Sequence, residues 1–112
     1  MMAMIDFSDF ERIDVRTGVI MSVADAPGCR APAYKFEIDF GDPIGMKKSV
    51  AQAKNYATEQ LIGKQILAVV NLKPRQIGKH VSEVLVLGVP TESAGTALVV
   101  PDMTAVLGGR LF

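Results

Sequence analysis

Residues 33–40 alternate apolar and polar side chains with a period of two, the pattern of a strand that buries one face. The apolar positions of this segment are Tyr34, Phe36, Ile38 and Phe40. Residues 13–23 alternate in a similar way and predict a long first strand. Gly18 lies inside that strand, where a glycine often marks a bulge or a sharp bend. We therefore predict one bent strand that serves both halves of a small barrel.

Weaker patterns predict the remaining elements. Ser8, with Glu11 three residues later, has the spacing of a capping box and predicts a short N-terminal helix or helical turn. Residues 46–52 predict a strand, and residues 53–61 predict a helix. Residues 96–100 predict a last strand, which an irregular tail follows.

Two apolar runs within residues 66–89 flank a polar hinge. The runs predict two buried strands, and the hinge predicts a loop held by the sheet, where binding groups are common. The polar and charged residues of the hinge are Asn71, Lys73, Arg75, Gln76, Lys79, His80, Ser82 and Glu83.

Together these elements predict an all-β fold, and the 112 residues suit a single domain, 1–112. Five or so strands, one short helix between the third and fourth, and a bending glycine in the first fit a five-stranded Greek-key barrel of the OB type with N- and C-terminal extensions. An SH3-like barrel or another small β-barrel is the alternative. OB barrels often bind oligonucleotides, but a fold alone does not establish a function.

The charge distribution is uneven although the net charge of the chain is zero. Residues 42–82 contain seven Lys or Arg and two Asp or Glu, and so have a net charge of +5. A basic segment on a neutral chain fits a localised anion-binding surface. The alternative is that these lysines only solvate a surface.

Catalytic and metal-binding patterns are missing from the sequence. His80 is the only histidine and Cys29 the only cysteine, which together do not make a zinc site. No glycine-rich motif that cradles a nucleotide phosphate occurs. A thiol–imidazole pair of Cys29 and His80 is formally possible, but an inert thiol is the favoured interpretation. We expect a binding module that is not an enzyme and has no metal and no cofactor.

The sequence also predicts a cytoplasmic protein. A single cysteine excludes an intrachain disulfide and favours a reducing compartment. The N-terminus lacks the basic and apolar regions of a signal peptide, and no apolar run is long enough to span a membrane, so no membrane insertion is expected.

Several segments, taken in order along the chain, match the pattern of a known family: 14–18, 32–41, Ser49 with Ala51 and Gln52, 61–65, 71–78, 82–88 and 109–112. They resemble the tRNA-binding domain family, and within it the CsaA-type group of export-related, chaperone-like bacterial proteins. Related domains occur in bacterial methionyl-tRNA synthetases and in the cytokine-like (EMAP II-like) module of eukaryotic synthetase complexes. The resemblance implies an OB barrel, a homodimer, and binding of tRNA by shape. For the CsaA-type group it also implies binding of unfolded or exported polypeptides.

Lys73 and Arg75 are the strongest candidates for RNA contact. They flank Pro74, which fixes its own φ and restricts the residue before it, so both cations are held on a stiff corner suited to phosphates. A solvated hairpin tip is the alternative. Asn71 either contacts ligand or bonds the backbone of the turn. The resemblance implies that Ser82 faces the RNA; an ordinary strand entry is the alternative.

Further candidates lie on the second and third strands. Lys35 is on the polar face of the second strand, where it either binds ligand or is simply solvated. The third strand contributes Lys47, Lys48, Ser49 and Gln52, whose clustering makes phosphate contact plausible, although lysines also protect edge strands. Tyr34 could stack on a base, but its in-phase apolar partners favour the core.

The termini contain more apolar residues than one small barrel needs. These residues are Phe7, Phe10, Leu107, Leu111 and Phe112. We predict that they pack across a two-fold axis in a homodimer. Three functions remain open: a tRNA-binding module, a peptide-binding export chaperone in which RNA binding is incidental, and a structural partner of a synthetase or export factor.

Overall fold

The structure, a computed structural model, describes residues 2–112. Its helices are α1 (Phe7–Glu11) and α2 (Thr58–Leu61). Its strands are β1 (Val15–Asp25), β2 (Tyr34–Asp39), β3 (Met46–Ala51), β4 (Gln65–Val69), β5 (Arg75–Ile77), β6 (His80–Ser82), β7 (Leu85–Val86), β8 (Gly88–Pro90) and β9 (Thr96–Leu98). Neither helix of the described residues is long and apolar enough to cross a membrane.

Five antiparallel strands form the main sheet, in the order β3-β2-β1-β4-β7. The long strand β1 has two partners. Residues 15–19 pair with β4, and residues 19–25 pair with β2, with a shift of register between Ile20 and Ser22. Two further hairpins, β5-β6 and β8-β9, lie outside this sheet. The prediction that one strand serves both halves of the barrel is confirmed.

Gly18 has a different role from the predicted one, because the irregularity of β1 lies beyond it. A Cβ atom at Gly18 would be 2.6 Å from Cγ2 of Ile38 and 2.7 Å from Cε1 of Phe40, both fully buried side chains. Contacts this short are not possible between carbon atoms, so the position requires glycine. The bare backbone of Gly18 lets the side chains of Ile38 and Phe40 pack directly on the first strand.

Hydrogen bonds between β3 and the segment that leads into β7 nearly close the barrel. The backbone N–H of Glu83 donates to the carbonyl of Lys48 at 2.8 Å. The hydroxyl of Ser49 donates to the carbonyl of Val84 at 3.0 Å. The nearly closed sheet, with few short helices, confirms the prediction of an OB-type barrel.

The core confirms the alternation seen in the second strand. Tyr34 is 8% exposed, and the three in-phase residues that follow it are fully buried. The Tyr34 hydroxyl donates to the carbonyl of Tyr56 at 2.9 Å, which anchors the ring inside the barrel. The core cluster consists of Ile20, Tyr34, Phe36, Ile38, Phe40, Ala53, Leu61, Ile66, Ala68 and Val84.

The predicted helix 53–61 is wrong over its first half, because only Thr58–Leu61 is helical. Asn55 instead lies in a turn, where its side chain accepts from the N–H of Thr96 at 3.1 Å and donates to the Thr96 carbonyl at 2.9 Å. Asn55 is therefore held in a turn by its contact with the last strand. Local helix propensity cannot predict such a contact between distant segments.

Three further predictions need correction. The helix α1 is capped at Asp6 and not at Ser8: the N–H of Asp6 donates to the Asp9 carboxylate at 3.1 Å. The polar hinge is not a plain loop, since it contains the β5-β6 hairpin. The C-terminal tail is not irregular throughout, because Leu111 donates its N–H to the carbonyl of Val15 at 2.9 Å and so extends the sheet beside β1.

Candidate nucleic-acid interface

Asn71 fixes the corner between β4 and β5. Its side-chain oxygen accepts from the N–H of Asp14 at 2.9 Å, and its amide group donates to the carbonyl of Arg12 at 2.7 Å. Both polar atoms are therefore engaged by the segment that precedes β1. The structure gives Asn71 an anchoring role, with its partners in a distant segment and not in its own turn.

Lys73 and Arg75 extend from this anchored corner into solvent, with Pro74 between them. Within residues 2–112 neither cation forms an ion pair. Arg75 begins β5 and lies opposite Ser82 in the register of the hairpin. The corner thus presents two cations that no carboxylate of the described chain neutralises.

The two lysines of β3 lie on opposite sides of the sheet. Lys47 is opposite Ile38, whose side chain is in the core, whereas Lys48 is opposite the exposed Glu37. Successive residues of a strand alternate between faces, so these two side chains leave the sheet in opposite directions. The clustering predicted from their adjacency is wrong for this reason.

The outer face of β2 and β3 has mixed charge. Lys35 and Lys48 share this face with Glu37, which is directly opposite Lys48. The carboxylate of Glu37 also accepts from the Ser22 hydroxyl at 2.9 Å. A carboxylate between two lysines weakens their joint attraction for a phosphate.

Ser49 and Ser82 are inside the wall of the barrel, 1% and 4% exposed. Their hydroxyl oxygens are 3.3 Å apart, and each donates to the Val84 carbonyl. The Ser82 hydroxyl also accepts from the N–H of Val50 at 3.2 Å. The two serines close the barrel, and their burial removes them from any surface that an RNA could reach.

A cleft of about 520 Å³ opens between the barrel and its two hairpins. Its walls are mainly aliphatic, and its long polar side chains are Arg30, Gln52 and Arg75. The residues that line it are Cys29, Arg30, Ala31, Ala33, Val50, Ala51, Gln52, Arg75, Ile77, Leu85, Val86, Gly88, Val89, Pro90, Ala94, Gly95, Thr96 and Leu98. None of these residues in the described chain is acidic, so the cleft favours an anion.

Arg30 was not among the residues that the sequence indicated. It follows a predicted turn, and no spacing pattern relates it to Arg75, which is far away in the chain. The only available signal was a cation in a loop next to a buried strand. Gln52, which the sequence did indicate, is exposed at the same cleft.

Cys29 and His80 lie at one junction but are engaged separately. The thiol sulfur of Cys29 is 4.0 Å from the carbonyl oxygen of Ile77. Nε2 of His80 is 3.1 Å from the carbonyl oxygen of Pro27. Within residues 2–112 no hydrogen bond joins the thiol to the imidazole, and no group of three or more His, Cys, Asp or Glu is placed to hold a metal ion.

A second charged cluster lies at the start of β1. Nε of Arg16 donates to a carboxylate oxygen of Asp14 at 2.6 Å, and Nη1 of Arg16 donates to the carbonyl of Gly108 at 3.0 Å. Nε of Arg110 is 3.6 Å from the same carboxylate. The hydrogen bond from Arg16 is the main cause that lowers the pKa of Asp14, and it raises the pKa of Arg16.

This cluster holds together an exposed apolar surface formed by both ends of the chain, which we call the terminal surface. Phe7 and Phe112 are its most exposed rings, at 70% and 107%. A cleft of about 470 Å³ lies on it, lined by Phe7, Phe10, Glu11, Ile13, Arg110, Leu111 and Phe112. Of the five apolar residues that the sequence indicated at the termini, Leu107 does not line this cleft and lies beside Gly41 instead.

Residues 15–110 match the protein family described as "Putative tRNA binding domain". Methionine–tRNA ligase of Bacteroides fragilis is 32% identical over 100 residues, which are 88% of this chain and 14% of the ligase. Methionine–tRNA ligase of Thermococcus kodakarensis is 30% identical over 111 residues, which are 98% of this chain and again 14% of the ligase. The chain therefore spans only a small part of these relatives.

Two solved structures match the whole fold. The CsaA chaperone protein of Picrophilus torridus has a TM-score of 0.92 and 47% identity, over 97% of this chain and 100% of that chain. Chaperone CsaA of Bacillus anthracis has a TM-score of 0.90 and 42% identity, over 98% of this chain and 100% of that chain.

The Asp14 cluster predicts a stability that depends on pH. Because the pKa of Asp14 in the folded chain is below its ordinary value of 3.8, its contribution is present above that pH and disappears as the pH falls through the lower folded-state pKa. Asp14→Asn should reduce the free energy of unfolding by about 1–2 kcal/mol at neutral pH. Urea unfolding at a fixed protein concentration measures the difference, which should shrink as the pH is lowered below 3.8.

Asp102→Asn, at an exposed position far along the chain, is the matched control and should change stability little at any pH. An Asp14→Asn variant as stable as the parent at neutral pH would show that the ion pairs contribute nothing measurable.

Proposed function

We propose, from the premise that this chain belongs to the tRNA-binding domain family, that it is a non-catalytic, cytoplasmic homodimer. It binds tRNA by contacting the backbone of the RNA and recognising the shape of the RNA. The observation that supports this most is the corner of Lys73 and Arg75, two exposed cations without ion-pair partners beside a cleft that lacks acidic residues. The family match over residues 15–110 adds independent support.

Phosphate contact is the chemistry best suited to this corner. Arginine presents a planar fork of donors that matches phosphate oxygens, and lysine adds a point charge. Such contacts position an RNA without reading its bases. RNA helices are recognised mainly by shape because side chains cannot enter their deep major groove.

The other predicted residues differ in the roles that this proposal gives them: some contact the RNA weakly, and others support the interface from within. Lys35 and Lys48 are weaker contacts on the outer face, where Glu37 opposes them, and Gln52 borders the cleft. Lys47 points to the other side of the sheet. Asn71, Ser49 and Ser82 support the interface from within, since their polar atoms are bonded to the chain itself.

Removal of the two corner cations should weaken binding to all tRNAs alike. Each lost phosphate contact reduces the slope of log affinity against log salt by roughly 0.7–0.9. Changing Lys73 and Arg75 to Ala should therefore flatten the slope by about one to two units, with similar losses for different tRNAs. Filter binding or fluorescence anisotropy over a salt series provides the measurement.

Lys64→Ala is the matched control, because Lys64 lines a different cleft, next to Val19 and Gln65. It should leave the slope nearly unchanged. A double variant with the parent's affinity and slope would show that the corner is only a solvated turn. Loss of one tRNA with retention of others would indicate base readout instead.

The terminal surface supports the dimeric part of the proposal. It exposes two phenylalanine rings, and contributions from both chain ends make it a continuous patch, which monomeric proteins rarely leave uncovered. A surface of this kind can pack on its own copy around a two-fold axis. A homodimer would bury Phe7 and Phe112.

Phe7→Ser with Phe112→Ser should convert the dimer into a monomer at micromolar concentration, because apolar burial drives association. Sedimentation equilibrium gives the assembly state. Point changes are sharper than removal of residues 109–112, since Leu111 also bonds to Val15 in the sheet. Met103→Ser, 76% exposed outside the terminal surface, is the control and should remain dimeric. A parent protein that sediments as a monomer would refute this part of the proposal.

Binding of unfolded or exported polypeptides is a second candidate function. The aliphatic walls of the 520 Å³ cleft favour it, and both CsaA proteins with similar structures are described as chaperones. An extended peptide could place apolar side chains on these walls. The cleft would then be shared by polypeptide and RNA.

A shared cleft predicts competition. Excess tRNA should release an unfolded client from the protein, and the client should weaken tRNA binding by the same factor, because coupling is reciprocal. Aggregation assays with and without tRNA, together with anisotropy of labelled tRNA, measure both directions. Simultaneous binding without mutual effect would place the two ligands at separate sites, and failure to suppress the aggregation of any client would remove the chaperone function.

A further inference from the structure

The loop between β1 and β2 is a closed unit that contains Arg30. The N–H of Ala26 donates to the carbonyl of Ala33 at 3.1 Å, and both residues are buried. The ends of the loop are therefore fixed on the barrel. The exposed side chain of Arg30 extends from the segment between these two ends.

The tip of this loop is attached to the β5-β6 hairpin. Nε2 of His80 is 3.1 Å from the carbonyl oxygen of Pro27, which can only accept this hydrogen bond. Gly78 turns the hairpin with a φ of +60°, and a Cβ atom there would be 3.0 Å from the carbonyl oxygen of Gly28. The two backbones are thus in close contact, and His80 contributes a specific bond to the junction.

The junction brings two arginines from distant parts of the sequence to one cleft. Arg30 comes from the loop and Arg75 from the hairpin, and both line the 520 Å³ cleft. In the described chain neither arginine has an ion-pair partner, and no carboxylate lines the cleft between them. Two unpaired cations that share a concave, partly apolar site favour binding of an anion that contacts both.

We propose that Arg30 is a further phosphate-binding residue, which forms a two-arginine subsite with Arg75, and that His80 is the positioning residue that holds Arg30 there. The subsite takes a phosphodiester group of the bound RNA, and this inference rests on the proposed tRNA-binding function. His80 acts through the loop: its bond to Pro27 fixes the segment from which Arg30 extends. Without that bond the loop is free to carry Arg30 away from Arg75.

The test measures tRNA affinity across a salt series for Arg30→Gln, His80→Phe and the double variant. Arg30→Gln should weaken binding about tenfold, as expected for a charge-assisted hydrogen bond, and flatten the salt slope by roughly 0.7–0.9. His80→Phe keeps a ring of similar size but loses the bond to Pro27, and should weaken binding severalfold. The double variant should bind no more weakly than Arg30→Gln, since His80 acts only through Arg30.

His80→Gln, whose amide can still donate to the Pro27 carbonyl, should recover most of the parent's affinity. Lys64→Ala serves again as the control for loss of one positive charge. Thermal unfolding of each variant checks that the barrel remains folded, and the exposed Arg30 keeps the proposal testable if His80→Phe does not fold.

Each contrary outcome has a separate meaning. If the parent and the Lys73/Arg75 variant behave as expected but Arg30→Gln keeps the parent's affinity and slope, the two-arginine subsite is wrong and the proposed function stands. If His80→Phe weakens Arg30→Gln further, His80 does not act through Arg30. If Arg30→Gln affects only polypeptide binding, the subsite recognises carboxylates. A parent that binds no tRNA overturns the proposed function and this inference together.

Discussion

The close contact of Gly18 with Ile38 and Phe40 is the constraint on which the barrel depends. Because Gly18 has no Cβ atom, the buried side chains of Ile38 and Phe40 can pack over its backbone, at the point where β1 passes from its pairing with β4 to its pairing with β2. One strand thereby holds the two halves of the molecule together. Its start lies in the Asp14 cluster that organises the terminal surface, and its end leads into the loop that contains Arg30. The terminal surface and the loop that contains Arg30 are thus at opposite ends of one strand.

Barrel closure explains why polar residues of the matching segments are buried. Ser49 and Ser82 belong to segments that resemble an RNA-binding family, yet their hydroxyls are bonded to Val84 and Val50. Closing the barrel at this seam places the β5-β6 hairpin beside β3, and the cleft forms between them. In the proposed function the serines would act indirectly, by fixing the strand that pairs with Arg75 through Ser82. Because a buried hydroxyl without a hydrogen-bond partner would be unfavourable, these hydrogen bonds favour one arrangement of the two segments at the seam.

How far the sequence predicts the structure depends on the range of the interactions involved. The period-two pattern of residues 34–40 predicted a buried strand correctly, because alternation follows directly from strand geometry. The helix at 53–61 was overestimated because Asn55 bonds to Thr96, a contact between distant segments. Lys47 and Lys48 do not form one cluster, because strand alternation places neighbouring side chains on opposite faces of the sheet. The sequence does not relate Arg30 to Arg75, since only the folded junction of Gly28 with Gly78 brings the two to one cleft.

Asn71 links the two regions that the proposed function requires. Its side chain forms hydrogen bonds with the backbone of Arg12 and Asp14, which lie on either side of Ile13 in the terminal surface. Asn71 also comes just before the corner that contains Lys73. In the proposed dimer the two corners would therefore be held at a fixed distance by short, bonded connections to the interface. Recognition by shape requires phosphate contacts at fixed spacing, since cations on mobile segments would fit many arrangements of an RNA backbone equally well. In the proposed function, the bonded connection from the terminal surface through Asn71 to the corner with Lys73 would let a small barrel select a tRNA by its shape.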